Sequence, residues 1–133
     1  MKIVSQLVAR PLDACWNAFV DPSAMTRWVP GLVAAVVDER RPDGLPSEVR
    51  YEYTSLLAYA LVYTYDLDAH VVRWEPREAS RGGVRGFARF AAVDGGTEVT
   101  YALEHDGGRL AAERALDDPK VALAAFAQYM DER

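Results

Sequence analysis

The sequence has 133 residues, half of them hydrophobic, and its 20 acidic residues against 15 lysines and arginines give a formal charge of −5 at pH 7. This composition is typical of one globular domain, which we expect to span residues 1–133, and the negative charge argues against nucleic acid as a partner. A single cysteine excludes a disulfide within the chain. No apolar run approaches the ~20 residues of a membrane span, and residues 1–10 do not resemble a signal peptide. We therefore expect no integral membrane association and a cytoplasmic location.

The first predicted elements are a strand and two short helices. Residues 2–9 are rich in β-formers and end at Arg10-Pro11, which favours a strand. Apolar residues then recur at helical spacing at Leu12, Cys15, Trp16 and Phe19. Asp21-Pro22 ends this helix and begins a second one, which is predicted to run to about Trp28 and to stop at Pro30-Gly31.

After the second helix the apolar period changes to two, which is typical of half-buried antiparallel strands. The clearest case places Val49, Tyr51 and Tyr53 on one face and charged residues on the other. Turns rich in Gly, Pro and Asp separate the apolar segments, among them the hairpin signal Asp94-Gly95-Gly96. We predict strands at residues 33–40, 47–54, 58–66, 70–75, 84–93 and 97–104.

The last predicted element is a helix that begins at Asp117-Asp118-Pro119, where acidic residues and a proline suit a helix N-terminus. Its apolar stripe contains Leu123, Phe126 and Met130. A sheet with one apolar face needs a cover, and this helix is the late element that can supply it. The sequence therefore predicts an α+β fold in which a curved, seven-stranded antiparallel sheet wraps around the C-terminal helix and leaves a space between them.

The order of elements and several turns resemble those of the START-like, or Bet v 1-like (SRPBCC), helix-grip superfamily, and within it the polyketide cyclase/dehydrase and lipid-transport branch. The resemblance covers the whole chain and is carried by the Asp21-Pro22 break, the Trp28-Val29-Pro30-Gly31 segment and the hairpin Gly95-Gly96-Thr97-Glu98-Val99-Thr100-Tyr101. It implies a cavity between the sheet and the long C-terminal helix that holds a hydrophobic or aromatic small molecule. The C-terminal helix is short for this family, which implies a smaller or more open cavity.

Five of the seven tyrosines fall between residues 51 and 65, at alternating positions of two predicted strands. Several phenols on one inner face indicate polar groups on an apolar cavity wall, although tyrosine is also common in strands that merely fill a core. In a cyclase such phenols would orient a polyketone or donate to an enolate oxygen. The predicted ligand-binding residues are Tyr51, Tyr53, Leu61, Tyr63, Tyr65, Trp74, Phe90, Tyr101, Leu103, Phe126 and Met130.

The predicted cavity also depends on the small residues of one strand, on Trp28 and on the apolar segment 55–58. Phe90 shares its predicted face with Gly86, Ala88 and Ala92, whose small size favours an unfilled cavity; the alternative is that they allow the helix to pack closely. Trp28 is predicted to cap the sheet structurally rather than to touch a ligand. The apolar segment 55–58, where a polar hairpin turn is expected, fits a bent strand, a dimer contact, a cavity lip or burial against its own fold.

The candidate catalytic residues are His105, Tyr101 and Tyr63. His105 continues the inward phase of Tyr101 and Leu103, whereas His70, the other histidine, sits beside a turn. Cys15 is predicted to be a buried packing thiol, since no histidine lies near it in sequence to activate it. We predict no metal site and no cofactor, because the chain lacks metal-ligand spacings and nucleotide-binding motifs.

These observations predict a protein that binds a small hydrophobic or aromatic molecule in an internal cavity. The enzymatic version is a polyketide cyclase, aromatase or dehydratase. The alternatives are a non-catalytic carrier or sensor of a lipid or isoprenoid, and a protein-interaction module of the same fold; a homodimer is compatible with each. Fold alone does not choose among them.

Overall fold

The structure, a computed structural model, describes residues 1–77, 84–105 and 118–132, and for His105 the backbone only. The predicted order of elements is confirmed, with boundaries that agree within about two residues. The elements are β1 (Lys2–Val8), α1 (Leu12–Phe19), α2 (Pro22–Trp28), β2 (Leu32–Arg40), β3 (Pro46–Tyr53), β4 (Ala58–Asp66), β5 (Val71–Pro76), β6 (Val84–Val93), β7 (Gly96–His105) and α3 (Pro119–Asp131). Residues 106–117, where the sequence leads into the last helix, lie outside the described part.

Two aspartates explain why α2 and α3 begin where they do. Asp21 is the N-cap of α2, and its Oδ1 accepts hydrogen bonds from Ser23 N at 3.0 Å and from Ser23 Oγ at 2.7 Å. Asp118 caps α3 in the same way, accepting from Lys120 N at 2.9 Å. A proline follows each cap, at a position where a helix needs no N–H donor.

The seven strands form one antiparallel sheet in the order β1-β7-β6-β5-β4-β3-β2, so β1 and β2 are its edges. Alternation along β3 buries Val49, Tyr51 and Tyr53 and exposes Arg50 and Glu52, as predicted. The helix α3 packs on β1, β7 and α2, while α1 packs on β6, β7 and α2. One face of the sheet is thereby covered by helices, which is the predicted helix-grip arrangement.

The β3–β4 connection, at residues 54–57, is a turn with an apolar tip. Leu56 adopts a positive φ of 66° and is 93% exposed, and its N–H donates to Tyr53 O at 3.0 Å. Leu57 instead packs against the core, and its carbonyl accepts from Tyr53 N at 2.9 Å. Of the four interpretations of this segment, a bent continuous strand is wrong, and burial against the fold holds for Leu57 alone.

Candidate functional site

A cavity lies between the inner face of the sheet and the three helices. Its volume is about 50 Å³, enough for roughly three to five water molecules. Every element except β1 contributes to its wall. The lining residues are Phe19, Met25, Trp28, Val29, Leu32, Tyr51, Tyr53, Tyr59, Leu61, Tyr63, Trp74, Val84, Tyr101, Leu103 and Ala122. None of these carries a charge.

The cavity brings together most of the predicted ligand-binding residues. Its wall contains Tyr51, Tyr53, Leu61, Tyr63, Trp74, Tyr101 and Leu103. These side chains come from β3, β4, β5 and β7 and all point to the covered face of the sheet. The alternation read from the sequence gave the direction of Tyr51, Tyr53, Tyr101 and Leu103, and it left open which face of residues 58–75 lines the cavity. Whether they contact a ligand is a prediction that the structure leaves open.

Four predicted lining residues lie elsewhere, because aromatic side chains from α1 and α2 fill the space around them. Phe126 packs between Phe19 and Trp28, with ring centroids 5.5 and 5.1 Å away. Phe90 packs on Phe19 at 5.2 Å, and Met130 is buried in the core. Tyr65 donates its hydroxyl proton to Pro46 O at 2.6 Å and borders a smaller neighbouring cavity.

The sequence prediction missed the contribution of the helices and of β2. The unpredicted lining residues are Phe19, Met25, Trp28, Val29, Leu32, Tyr59, Val84 and Ala122. The signal for Tyr59 was available, since it belongs to the tyrosine cluster and shares the face of Tyr63. Trp28, expected to be structural, packs on Phe19 and Phe126 and also lines the cavity. No sequence period reveals which helix residues reach past their neighbours to the sheet.

Two hydrogen-bonded tyrosine pairs form the polar part of the wall. Tyr51 on β3 bonds Tyr63 on β4 through their hydroxyls, and Tyr53 bonds Tyr59 in the same way at 2.7 Å. The Tyr51 hydroxyl also lies 3.4 Å from Met25 Sδ, which can only accept. The first pair has two protons and uses one in its own bond. The second proton is thus donated to the thioether sulfur of Met25, a weak acceptor. An oxygen atom of a ligand would be a stronger acceptor for the same proton.

Burial keeps these phenols neutral. Removal from water raises the pKa of Tyr51, Tyr63 and Tyr101 far above the ordinary value, because the phenolate form loses its hydration. The hydroxyl of Tyr101 makes no hydrogen bond within the described part of the chain. At neutral pH these groups can donate hydrogen bonds but cannot take up a proton as bases. Among the described side chains, the site is therefore one of neutral donors.

The remaining candidate residues lie outside this wall. His70 adopts a positive φ of 53° in the β4–β5 turn and packs edge-on against Trp16 at 5.4 Å. The side chain of His105 lies outside the described part of the structure. Cys15 is fully buried, as predicted, and burial raises the pKa of its thiol. Within residues 1–77, 84–105 and 118–132, no three His, Cys, Asp or Glu side chains cluster as a metal site would require.

Solved structures identify the fold. The chain superposes on the Zhui aromatase/cyclase from Streptomyces sp. R1128 with a TM-score of 0.74, 16% identity, and coverage of 99% of this chain and 93% of that one. A START superfamily protein from Mycobacterium smegmatis superposes with a TM-score of 0.70 and 15% identity, covering 98% of this chain and 95% of that one. An AHSA1-like protein from Aeromonas hydrophila superposes with a TM-score of 0.67 and 14% identity, covering 98% of this chain and 92% of that one. The chain thus has the START-like helix-grip fold.

Comparison of sequences adds no closer assignment. No protein-family model matches the chain, and a search of curated proteins finds no match. None of the helices in the described residues is long and apolar enough to span a membrane.

Proposed function

We propose that the protein binds a small hydrophobic or aromatic molecule in the cavity between its sheet and helices. The observation that carries this proposal is the wall itself: an aromatic, uncharged lining around unfilled space, with a few phenols as polar groups. Small-molecule sites commonly have this composition. Fold relatives that include an aromatase/cyclase and a START superfamily protein support the same conclusion.

Binding is favoured over acid–base catalysis because the described wall supplies no base. A cyclisation needs a group that removes a proton from carbon, and a neutral tyrosine with a raised pKa does not serve. The tyrosine hydroxyls can, however, stabilise an enolate oxygen by donating to it. Cyclase or aromatase activity is therefore the second candidate, with the Tyr51–Tyr63 pair and Tyr101 as donors and the catalytic candidate His105 as the base.

The empty space inside the wall also weighs against a protein-interaction module, whose function requires no internal cavity. Leu56 is exposed at the tip of one turn, but the neighbouring Leu57 packs inward. A single exposed leucine is an ordinary surface feature. The cavity, by contrast, leaves aromatic side chains in contact with empty space, which a protein without a ligand would tend to fill.

Filling the cavity tests the proposal. Ala122 on α3 lines the wall, and Ala122→Leu places three further carbons in the space, whereas Val121→Leu adds one carbon at a position that is 47% exposed on the same helix. We expect wild-type protein and Val121→Leu to bind α-methylstyrene or acetophenone, measured by NMR titration. Ala122→Leu should bind at least tenfold more weakly while unfolding at a similar or higher temperature. Binding of neither probe by the wild type, or equal binding by both variants, would contradict a ligand site here.

A further inference from the structure

The indole N–H of Trp28 is a buried donor without an acceptor. Trp28 is 6% exposed, and its Nε1 has no hydrogen-bond partner in the described part of the protein. This group can donate but cannot accept. Buried polar groups are paired in the large majority of cases, so an unpaired one in the wall of a cavity indicates an acceptor outside the described residues, and a bound molecule would supply it.

A second unpaired donor lies nearby in the same wall. The Tyr101 hydroxyl has no hydrogen bond among the described residues, and both rings rest against Phe19, whose centroid is 5.6 Å from Trp28 and 5.9 Å from Tyr101. The two donor-bearing rings thus belong to one aromatic cluster of the wall, in which both contact Phe19.

The charge and size of the cavity restrict what the donors can hold. No cationic side chain lines the described wall, so a carboxylate or phosphate would leave water without a compensating charge. A neutral carbonyl or ether oxygen needs only a donor. The volume of about 50 Å³ is below the ~150 Å³ of a cavity that holds benzene, so side chains of the wall must move to admit even one ring, and a fused system is disfavoured further.

We propose that Trp28 Nε1 and the Tyr101 hydroxyl form an acceptor-binding subsite for a neutral, oxygen-bearing, single-ring aromatic molecule, such as an aryl ketone. The proposal rests on the proposed ligand-binding function and adds the chemical class of the ligand. Trp28 is then a ligand-contacting residue in addition to a packing residue of the core.

Two probe molecules of almost identical shape show how much a hydrogen bond from the protein contributes to binding. Acetophenone and α-methylstyrene differ in having an oxygen or a CH₂ at the same position, and benzoate adds a negative charge. In ¹⁵N-labelled protein, the indole N–H resonance of Trp28 should move downfield in the proton dimension with acetophenone and not with α-methylstyrene. We expect acetophenone to bind roughly tenfold more tightly than α-methylstyrene, the effect of about one hydrogen bond, and benzoate to bind more weakly than acetophenone.

Variants assign this preference to the donors. Trp28→Phe should remove most of the preference for acetophenone over α-methylstyrene, and Tyr101→Phe should remove a smaller part of it. Trp16→Phe is the matched control, because Trp16 is a buried tryptophan on α1 that does not line the cavity. Trp16→Phe should retain the preference for acetophenone over α-methylstyrene. The indole N–H resonance that disappears from the spectrum of each tryptophan variant identifies the resonance of that tryptophan.

The outcomes separate this proposal from the one on which it rests. If both aromatic probes bind equally and the Trp28 resonance responds equally to each, the subsite is refuted while ligand binding stands. The same holds if benzoate binds best, because the site then recognises an anion. If neither aromatic probe binds the wild type, the proposed function itself fails.

Discussion

Gly86 shows how one missing side chain determines the packing of the sheet. A Cβ at this position of β6 would clash with the carbonyl oxygen of Ala102 on β7 and would lie 3.1 Å from Cζ2 of Trp74. The sequence favoured empty volume at Gly86, Ala88 and Ala92, with close packing of the helix as the alternative. Neither interpretation is correct at Gly86, because the groups that approach it are the Ala102 backbone and the Trp74 ring. The cavity wall contains none of the three small residues.

Gly86→Ala is therefore expected to be strongly destabilising. The added carbon meets backbone, which cannot move without disturbing the β6–β7 ladder, so we expect a loss of about 3 kcal/mol or more in the free energy of unfolding. Gly44→Ala provides the comparison: its φ is +91° but its Cβ meets no atom within 4 Å, and we expect a loss of about 1–2 kcal/mol. Urea denaturation measures both values. Equal losses of unfolding free energy in the two variants would show that the close approach of the Ala102 backbone is not what requires glycine at position 86.

At the scale of elements, one ion pair connects the first strand to the last helix. Lys2 Nζ lies 2.9 Å from Asp118 Oδ2, while Oδ1 of the same carboxylate caps α3. The Lys2 ammonium and the Lys120 N–H hold the pKa of Asp118 below its usual range. A single carboxylate thus both starts α3 and fixes it to β1, on the side of the sheet where α3 packs.

The depressed pKa of Asp118 predicts a pH dependence of stability. The interaction is present above the ordinary aspartate pKa of about 4 and is lost as the pH falls through the lower folded-state value. Asp118→Asn keeps a capping oxygen and removes the charge. The wild type should be more stable than this variant at pH 6, by less than about 1 kcal/mol because the pair is exposed, and the difference should shrink toward pH 3.

Lys2→Met separates the two roles of the carboxylate, since it removes the ion pair and leaves the cap. It should reproduce most of the pH-dependent difference in urea denaturation between pH 3 and pH 6. A difference between wild type and Asp118→Asn that does not change over this range would contradict the assignment.

For the whole molecule, the interior is divided rather than continuous. A second cavity of about 10 Å³ lies beside the first, and both are bounded by Phe19, Met25, Tyr51 and Tyr63. Met25 is the flexible member of this partition, and it is held by the Tyr51 hydroxyl at 3.4 Å. The volume available to a ligand therefore depends on one unbranched side chain.

Met25→Ala should join the two cavities and widen the range of ligands. We expect it to lower the free energy of unfolding by about 2–5 kcal/mol and to permit binding of 1-acetonaphthone, a two-ring ketone that the wild type excludes. Met130→Ala removes the same side chain from the core behind the cavity, so it should cost similar stability without changing ligand size. NMR titration with both ketones tests this, and wild-type binding of the two-ring ketone would argue against a partition.

The sequence predicted the fold almost completely and the site in part, for a physical reason. Alternation and turn residues are local, so strands such as β4 and β6 were placed with their observed boundaries. The same alternation indicated that Phe90 points inward and placed Tyr63 on one face with Tyr59 and Leu61, without deciding whether that face lines the cavity. Alternation could not indicate that Phe19 fills the space over Phe90 whereas the space over Tyr63 stays open. That difference depends on the distance of α1 and α2 from each strand.

The irregular pairing of β2 limits how copies of the protein can pair through this sheet edge at high concentration. This strand is an edge of an open sheet and exposes Val33 and Val36, a combination that invites pairing with another chain. Its register against β3 shifts three times, between Leu32 and Ala34, between Val37 and Glu39, and between Glu39 and Arg40. Such bulges interrupt the row of free N–H and C=O groups, so a second copy cannot extend the sheet over an unbroken length. We therefore expect the β2 edge to pair poorly with a second copy of the chain.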